Sequence, residues 1–187
     1  AKAATQAEVD INLADEEARV RVIIGDEVIF GTDDDTMESV VVGLCRDQGL
    51  KLGLAESLTG GLIGQRITSH PGVSDVFQGS IVSYADSVKN DVLGIAGVPA
   101  ISEEGAAAMA EGAARVLGAE CSVAVTGVAG PTEAGGYKVG TVFMATHVDG
   151  VTEVLMVEWP FDRKRTREFT TITVLNQLRK RLLARST

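Results

Sequence analysis

Lys51-Leu52-Gly53-Leu54-Ala55-Glu56-Ser57-Leu58-Thr59-Gly60-Gly61-Leu62-Ile63-Gly64-Gln65-Arg66-Ile67 is the stretch on which the reading of this chain turns. A short apolar run leads into a serine among turn-forming residues, and a helical pattern follows. That order puts Ser57 on a strand-to-helix turn, with its hydroxyl facing open space. Gly60 and Gly61 let backbone N–H groups approach an anion, and a helix N-terminus adds the positive end of its dipole. A nucleophile beside a backbone-amide pocket is what acyl transfer requires. The same residues also read as a capped turn, in which Ser57 or Thr59 only satisfies helix N–H groups.

Working outward, strand and helix patterns alternate. Met37, Val40, Val41, Leu44 and Cys45 mark the inner face of a helix closed near Gly49, and a second helix runs from Gly60 to Thr68. Phe77–Tyr84 reads as a strand and Ser87–Leu93 as a short helix. Ser102-Glu103-Glu104 opens an alanine-rich helix to about Leu117, and Cys121–Val125 is an apolar strand. Two further strands, Gly140–His147 and Val154–Trp159, flank the turn Asp149-Gly150, and Asp162 caps a last helix. This pattern predicts an α/β domain over residues 36–187, a three-layer α/β/α sandwich whose sheet is mixed because its last two strands form an antiparallel hairpin. Upstream, residues 1–17 read as a polar lead-in. Arg19–Ile24 alternates as a strand, turns at Gly25-Asp26-Glu27 and continues into Val28-Ile29-Phe30-Gly31. Residues 1–35 are therefore expected to be a polar lead-in and short hairpin, the remnant of something upstream.

Hydrophobic residues make up 45% of the 187, enough for one sizeable core. The net charge of −9 is uneven: residues 162–187 hold 8 basic against 2 acidic side chains. One basic helix on an acidic chain argues against nucleic-acid binding, which needs a basic face. No run approaches the roughly 18 apolar residues of a membrane span. Cys45 and Cys121 lie far apart in sequence within apolar patterns, and His70 and His147 are isolated, so buried free thiols and no metal site are expected. Absent targeting signals and free thiols point to the cytoplasm. The small residues of the alanine-rich helix suggest packing on a sheet or a partner, and a homo-oligomer.

Ser57 needs a base. Neither histidine is well placed, and a lysine is the known substitute. Lys89 follows the strand that ends at Tyr84, and would emerge beside Ser57 if the two strands are neighbours, with Oγ and Nζ in hydrogen-bond reach. Lys51 and Lys138 are rival bases. Buried Glu56 would need a partner, with Lys89 or an arginine the natural choice. A second glycine-rich loop, Thr126-Gly127-Val128-Ala129-Gly130-Pro131-Thr132-Glu133-Ala134-Gly135-Gly136, also follows a strand. Ligands of open α/β sheets gather at the carboxyl ends of strands. No P-loop or dinucleotide fingerprint is present. Arg163 and Arg167 could clamp a phosphate or carboxylate.

Together Glu56-Ser57-Leu58-Thr59-Gly60-Gly61, Tyr84-x-x-x-x-Lys89, Val123-Ala124-Val125-Thr126-Gly127-Val128-Ala129-Gly130-Pro131 and Val139-Gly140-Thr141-Val142 resemble the CinA C-terminal domain, which includes nicotinamide-nucleotide amidohydrolases. The resemblance covers about residues 36–185. It implies hydrolysis of the carboxamide of nicotinamide mononucleotide to nicotinate mononucleotide and ammonia, without metal or cofactor. Ser57 is then the nucleophile, Lys89 the base and Tyr84 a neighbour shaping the site. Glu56, Thr59, Gly60 and Gly61 of the first turn, and Thr126, Gly127 and Gly130 of the second loop, would bind substrate, with Arg163 near its charged groups. The alternative is a non-catalytic nucleotide-binding or oligomerisation module. Five positions depart from the family pattern: Leu58 replaces a cysteine, Asp86-Ser87 an asparagine–glutamate pair, Val139 a proline and Phe161 a glycine.

Overall fold

The computed structural model describes residues 4–25 and 28–185. The chain falls into two units, Ala1–Thr36 and Met37–Thr187. In the first, Thr5 caps helix α1 (Gln6–Ile24) through a capping box with Glu8. Pairs one turn apart, Arg19 with Glu16 and Arg21 with Glu17, support its surface. The strand expected over Arg19–Ile24 is thus the end of a helix, because the cap and these ion pairs outweigh four residues of alternation. Val28–Gly31 forms no strand either, so the hairpin is absent; Asp26 and Glu27 of its expected turn lie outside the described residues.

The second unit runs α2 (Met37–Asp47), β1 (Leu52–Glu56), α3 (Leu62–Thr68), β2 (Phe77–Val82), α4 (Asp86–Leu93), α5 (Glu103–Leu117), β3 (Cys121–Gly127), β4 (Thr141–Val148), β5 (Val151–Glu158) and α6 (Arg163–Arg185). The five strands form one sheet in the order β2-β1-β3-β4-β5. The first three are parallel, and β4 and β5 join them antiparallel. The domain is therefore a mixed-sheet α/β fold.

Strand alternation assigns the two cores. Leu52, Leu54, Val123, Val125, Val142 and Met144 point to one side, against α2, α3 and α6. Ala55, Ala124, Phe143 and Ala145 point to the other, against Ala106, Met109, Ala110 and Ala113 of α5. Small residues bring α5 close: a Cβ on Gly53 would lie 3.1 Å from Leu117 Cδ1, and Ser122 Oγ donates to the Ala110 carbonyl at 2.6 Å. The alanine face of α5 is thus used within the chain. Cys45 and Cys121, distant in sequence, meet in the first core with their sulfurs 3.7 Å apart. Hydrogen bonding to Cys45, together with burial, holds the Cys121 thiol well above its ordinary range, in the protonated form.

Candidate active site

In the parallel half of the sheet Glu56 is in register with Val82 on one side and Val125 on the other. Backbone bonds continue one residue further, with Ser83 N–H donating to the Glu56 carbonyl at 2.8 Å and Ser57 N–H to the Val125 carbonyl at 3.0 Å. The chain segments after β1, β2 and β3 therefore leave the sheet together, at its carboxyl end. Between them lies a cavity of about 530 Å³, within the size range of small-ligand sites. Ser57, Tyr84, Lys89, Thr126, Gly127 and Arg163 line it, as do Asp86 and the connection Pro99–Ile101.

Ser57 is half-buried, and among the described residues its hydroxyl has no protein partner. Lys89 is 4% exposed, held at the cavity wall from the first turns of α4. Its Nζ donates to Asp86 Oδ1 at 2.9 Å. The expected hydrogen bond between Nζ and Ser57 Oγ is absent: Asp86, one helical turn earlier, takes the ammonium instead. Of the rival bases, Lys51 donates to the Asp75 carbonyl at the amino end of β1, and Lys138 is exposed and off the cavity wall.

Glu56 corrects a second expectation. It is fully buried, yet its partner is no cation. Oε2 accepts from the N–H groups of Gly61 and Ile63, both at 3.0 Å, and Oε1 from Gly64 N–H at 2.9 Å and Ser80 Oγ at 2.8 Å. The amides left unpaired at the start of α3, with the positive end of its dipole, satisfy the carboxylate. Gly64 admits it, since a Cβ there would lie 3.0 Å from Ser80 Cβ and 3.4 Å from Glu56 Oε1. The anion place read from the glycines is thus filled by the chain itself. Glu56, Thr59, Gly60 and Gly61 do not line the cavity and form the scaffold of the turn. Gly60 (φ 59°) and Gly61 (φ 92°) supply backbone angles that other residues rarely adopt. Two N–H groups of this turn, those of Leu58 and Thr59, have no acceptor among the described residues.

Arg167 also differs from the sequence reading. Its Nε and Nη2 donate to the Thr59 carbonyl, so it clamps the chain's own turn rather than facing a ligand. Arg163 donates from Nη1 to the Gly130 carbonyl at 2.7 Å and from Nη2 to Tyr84 Oη at 2.8 Å. It joins the second glycine-rich loop to the segment after β2, and among the described residues no carboxylate pairs with it. Gly130 contributes that carbonyl but lies off the cavity wall. Thr126 is buried and donates from Oγ1 to the Ala100 carbonyl at 2.6 Å, fixing the Pro99–Ile101 wall. Among the described residues no three His, Cys, Asp or Glu side chains are grouped to hold a metal ion, and no helix is long and apolar enough to cross a membrane.

Comparison with known proteins agrees with this architecture. Residues 34–182 match the CinA C-terminal domain. A CinA-like protein of Frankia casuarinae is 39% identical over 97% of this chain, and one of Geotalea daltonii 42% identical over 89%. The chain spans 43% and 42% of those two proteins, less than half of their length. Among solved structures, a competence or damage-inducible protein from Enterobacter asburiae superposes with a TM-score of 0.74 at 26% identity, covering 80% of this chain and 99% of that one. The competence/damage inducible protein CihA from Agrobacterium tumefaciens gives 0.72 at 32% identity, covering 80% and 96%. With its mixed five-stranded sheet, its cavity at the carboxyl ends of the parallel strands and a family match over most of its length, the chain belongs to the CinA C-terminal domain family.

Proposed function

We propose that the cavity hydrolyses the carboxamide of nicotinamide mononucleotide, yielding nicotinate mononucleotide and ammonia. The observation that carries this reading is a serine hydroxyl without a protein partner among the described residues, next to the unengaged N–H of Leu58, on the wall of a cavity that also holds a buried lysine. Lys89, turning from Asp86, first gives its ammonium proton to solvent; Ser57 Oγ then attacks the amide carbon and the neutral Nζ takes the serine proton. The unengaged N–H of Leu58, a residue of the cavity wall, is the donor we assign to the oxyanion; loss of one such donor typically costs about 10²–10³ in rate. Lys89 returns the proton to the departing ammonia, and water then cleaves the acyl-enzyme with Lys89 again as base.

A second reading is a nucleotide-binding module without turnover, and the Lys89–Asp86 ion pair favours it, because an ammonium holding a carboxylate has no lone pair to offer. Ammonia release from nicotinamide mononucleotide by wild type, Ser57→Ala and Lys89→Ala separates the two. Turnover by wild type that both variants abolish supports the enzyme. Binding without turnover supports the module, and equal turnover by all three refutes the dyad.

A further inference from the structure

We infer that Asp86 and Tyr84 form a recognition site for a positively charged aromatic ring, so that this chain discriminates pyridinium amides from uncharged ones. The inference rests on the amide-hydrolase reading and adds to it a specificity that the dyad alone does not supply. Three charged side chains line the cavity, and Asp86 is the sole carboxylate among them; Lys89 and Arg163 are the others. Asp86 stands at the first position of α4 with its side chain 78% exposed, although it is paired to a lysine that is almost fully buried. Only Oδ1 is engaged, on Lys89 Nζ at 2.9 Å; Oδ2 has no protein partner among the described residues. One carboxylate oxygen is therefore free for a second cation.

Tyr84, two residues earlier, is 58% exposed and also lines the cavity. Arg163 anchors its hydroxyl at 2.8 Å, which fixes the ring while leaving it accessible. An exposed aromatic ring and a half-used carboxylate on the lining of one cavity are the combination that attracts a flat cation. Nicotinamide mononucleotide carries such a charge on its pyridine nitrogen, in the same ring as the carboxamide. Reduction to the dihydropyridine removes the charge while keeping amide, ribose and phosphate. An exposed ion pair and an exposed cation–π contact together favour the charged ring by about five- to ten-fold in affinity.

The test is equilibrium binding of oxidised and reduced nicotinamide mononucleotide to full-length Ser57→Ala protein, by calorimetry, alongside turnover of both by wild type. The expected result is about five- to ten-fold tighter binding of the oxidised form, falling to about two- to three-fold when Asp86→Asn is added. Asp86→Glu, which keeps the charge, should retain more of the preference than Asp86→Asn. Equal affinity for the two forms, or a preference unchanged by Asp86→Asn, overturns the inference while leaving amide hydrolysis standing. Absence of both binding and turnover overturns the function and this inference with it.

Discussion

Replacing Glu56 by glutamine tests whether the turn that carries Ser57 is held by a buried negative charge. The side chain keeps its shape, but one oxygen becomes an NH₂ group. Placed at the Oε2 position, that group meets two backbone donors, Gly61 and Ile63. At the Oε1 position it meets only Gly64 N–H, because the Ser80 hydroxyl can rotate to accept. The second arrangement is the cheaper one. It leaves one buried backbone donor unpaired, and it turns two charge-assisted bonds into neutral ones. The combined loss is about 2–4 kcal/mol. For a domain of this size that lowers the melting temperature by roughly 5–15 °C. Thermal unfolding followed by circular dichroism reads this directly. Ser80→Ala is the companion variant: it removes one hydroxyl donor and should cost about 1 kcal/mol. Labelling of Ser57 by a sulfonyl fluoride, followed by intact mass, should slow in Glu56→Gln as the turn loosens. A melting temperature within about 1 °C of wild type, or a loss no larger than that of Ser80→Ala, would refute the idea that the amides of α3 and this carboxylate hold the turn together.

Arg167→Ala removes both donors from the Thr59 carbonyl; the rate of Ser57 labelling and of any amide turnover should fall by about ten- to a hundred-fold, since misplacing a reacting group by an ångström has that effect, and an unchanged rate would show that the clamp does not position the turn. Asp75 and Asp149 are held below the usual carboxylate range by hydrogen bonds from Arg46 and Arg185, respectively. Stability from these two pairs is therefore fully present above the ordinary carboxylate range and is lost as pH falls through it towards the lowered values. The stability gap between wild type and an Arg46→Ala/Arg185→Ala variant, measured by urea unfolding, should be open at pH 7 and close as pH drops below about 4. A gap that widens in acid would contradict the assignment.

The main domain was legible in the sequence because its signals are local. Apolar runs ending in glycine-rich turns marked β1 and β3, and the capping residues Ser102 and Asp162 do bond the first turns of α5 and α6. Setting Ser57 and Lys89 on neighbouring strand exits required only that β1 and β2 pair, and they do. What could not be read depended on groups without a residue-type label. Glu56 is satisfied by backbone amides, which every residue carries, so no residue type in the sequence marks its partner. The meeting of Cys45 with Cys121 across 76 residues follows from the packing of α2 on the sheet, not from spacing. Two misses had signals available. Thr5 and Glu8 spell a capping box, which should have outweighed the alternation at Arg19–Ile24. Asp86 and Lys89 stand at i and i+3 on a helix, the spacing at which opposite charges meet.

The strand order distributes rigidity unevenly across the cavity. Ser57 leaves β1, which is bonded on both sides, whereas Tyr84 and Lys89 follow β2 at the margin of the sheet. Marginal strands open through local fluctuations, while interior ones exchange their amide protons only through larger unfolding events. Ser57 thus follows an interior strand of the sheet, and Lys89 follows an edge strand. Arg163, reaching from α6 to Tyr84, tethers the segment after β2. Amide protons of β2 are therefore expected to exchange faster than those of β1, so the two walls of one cavity differ in local stability.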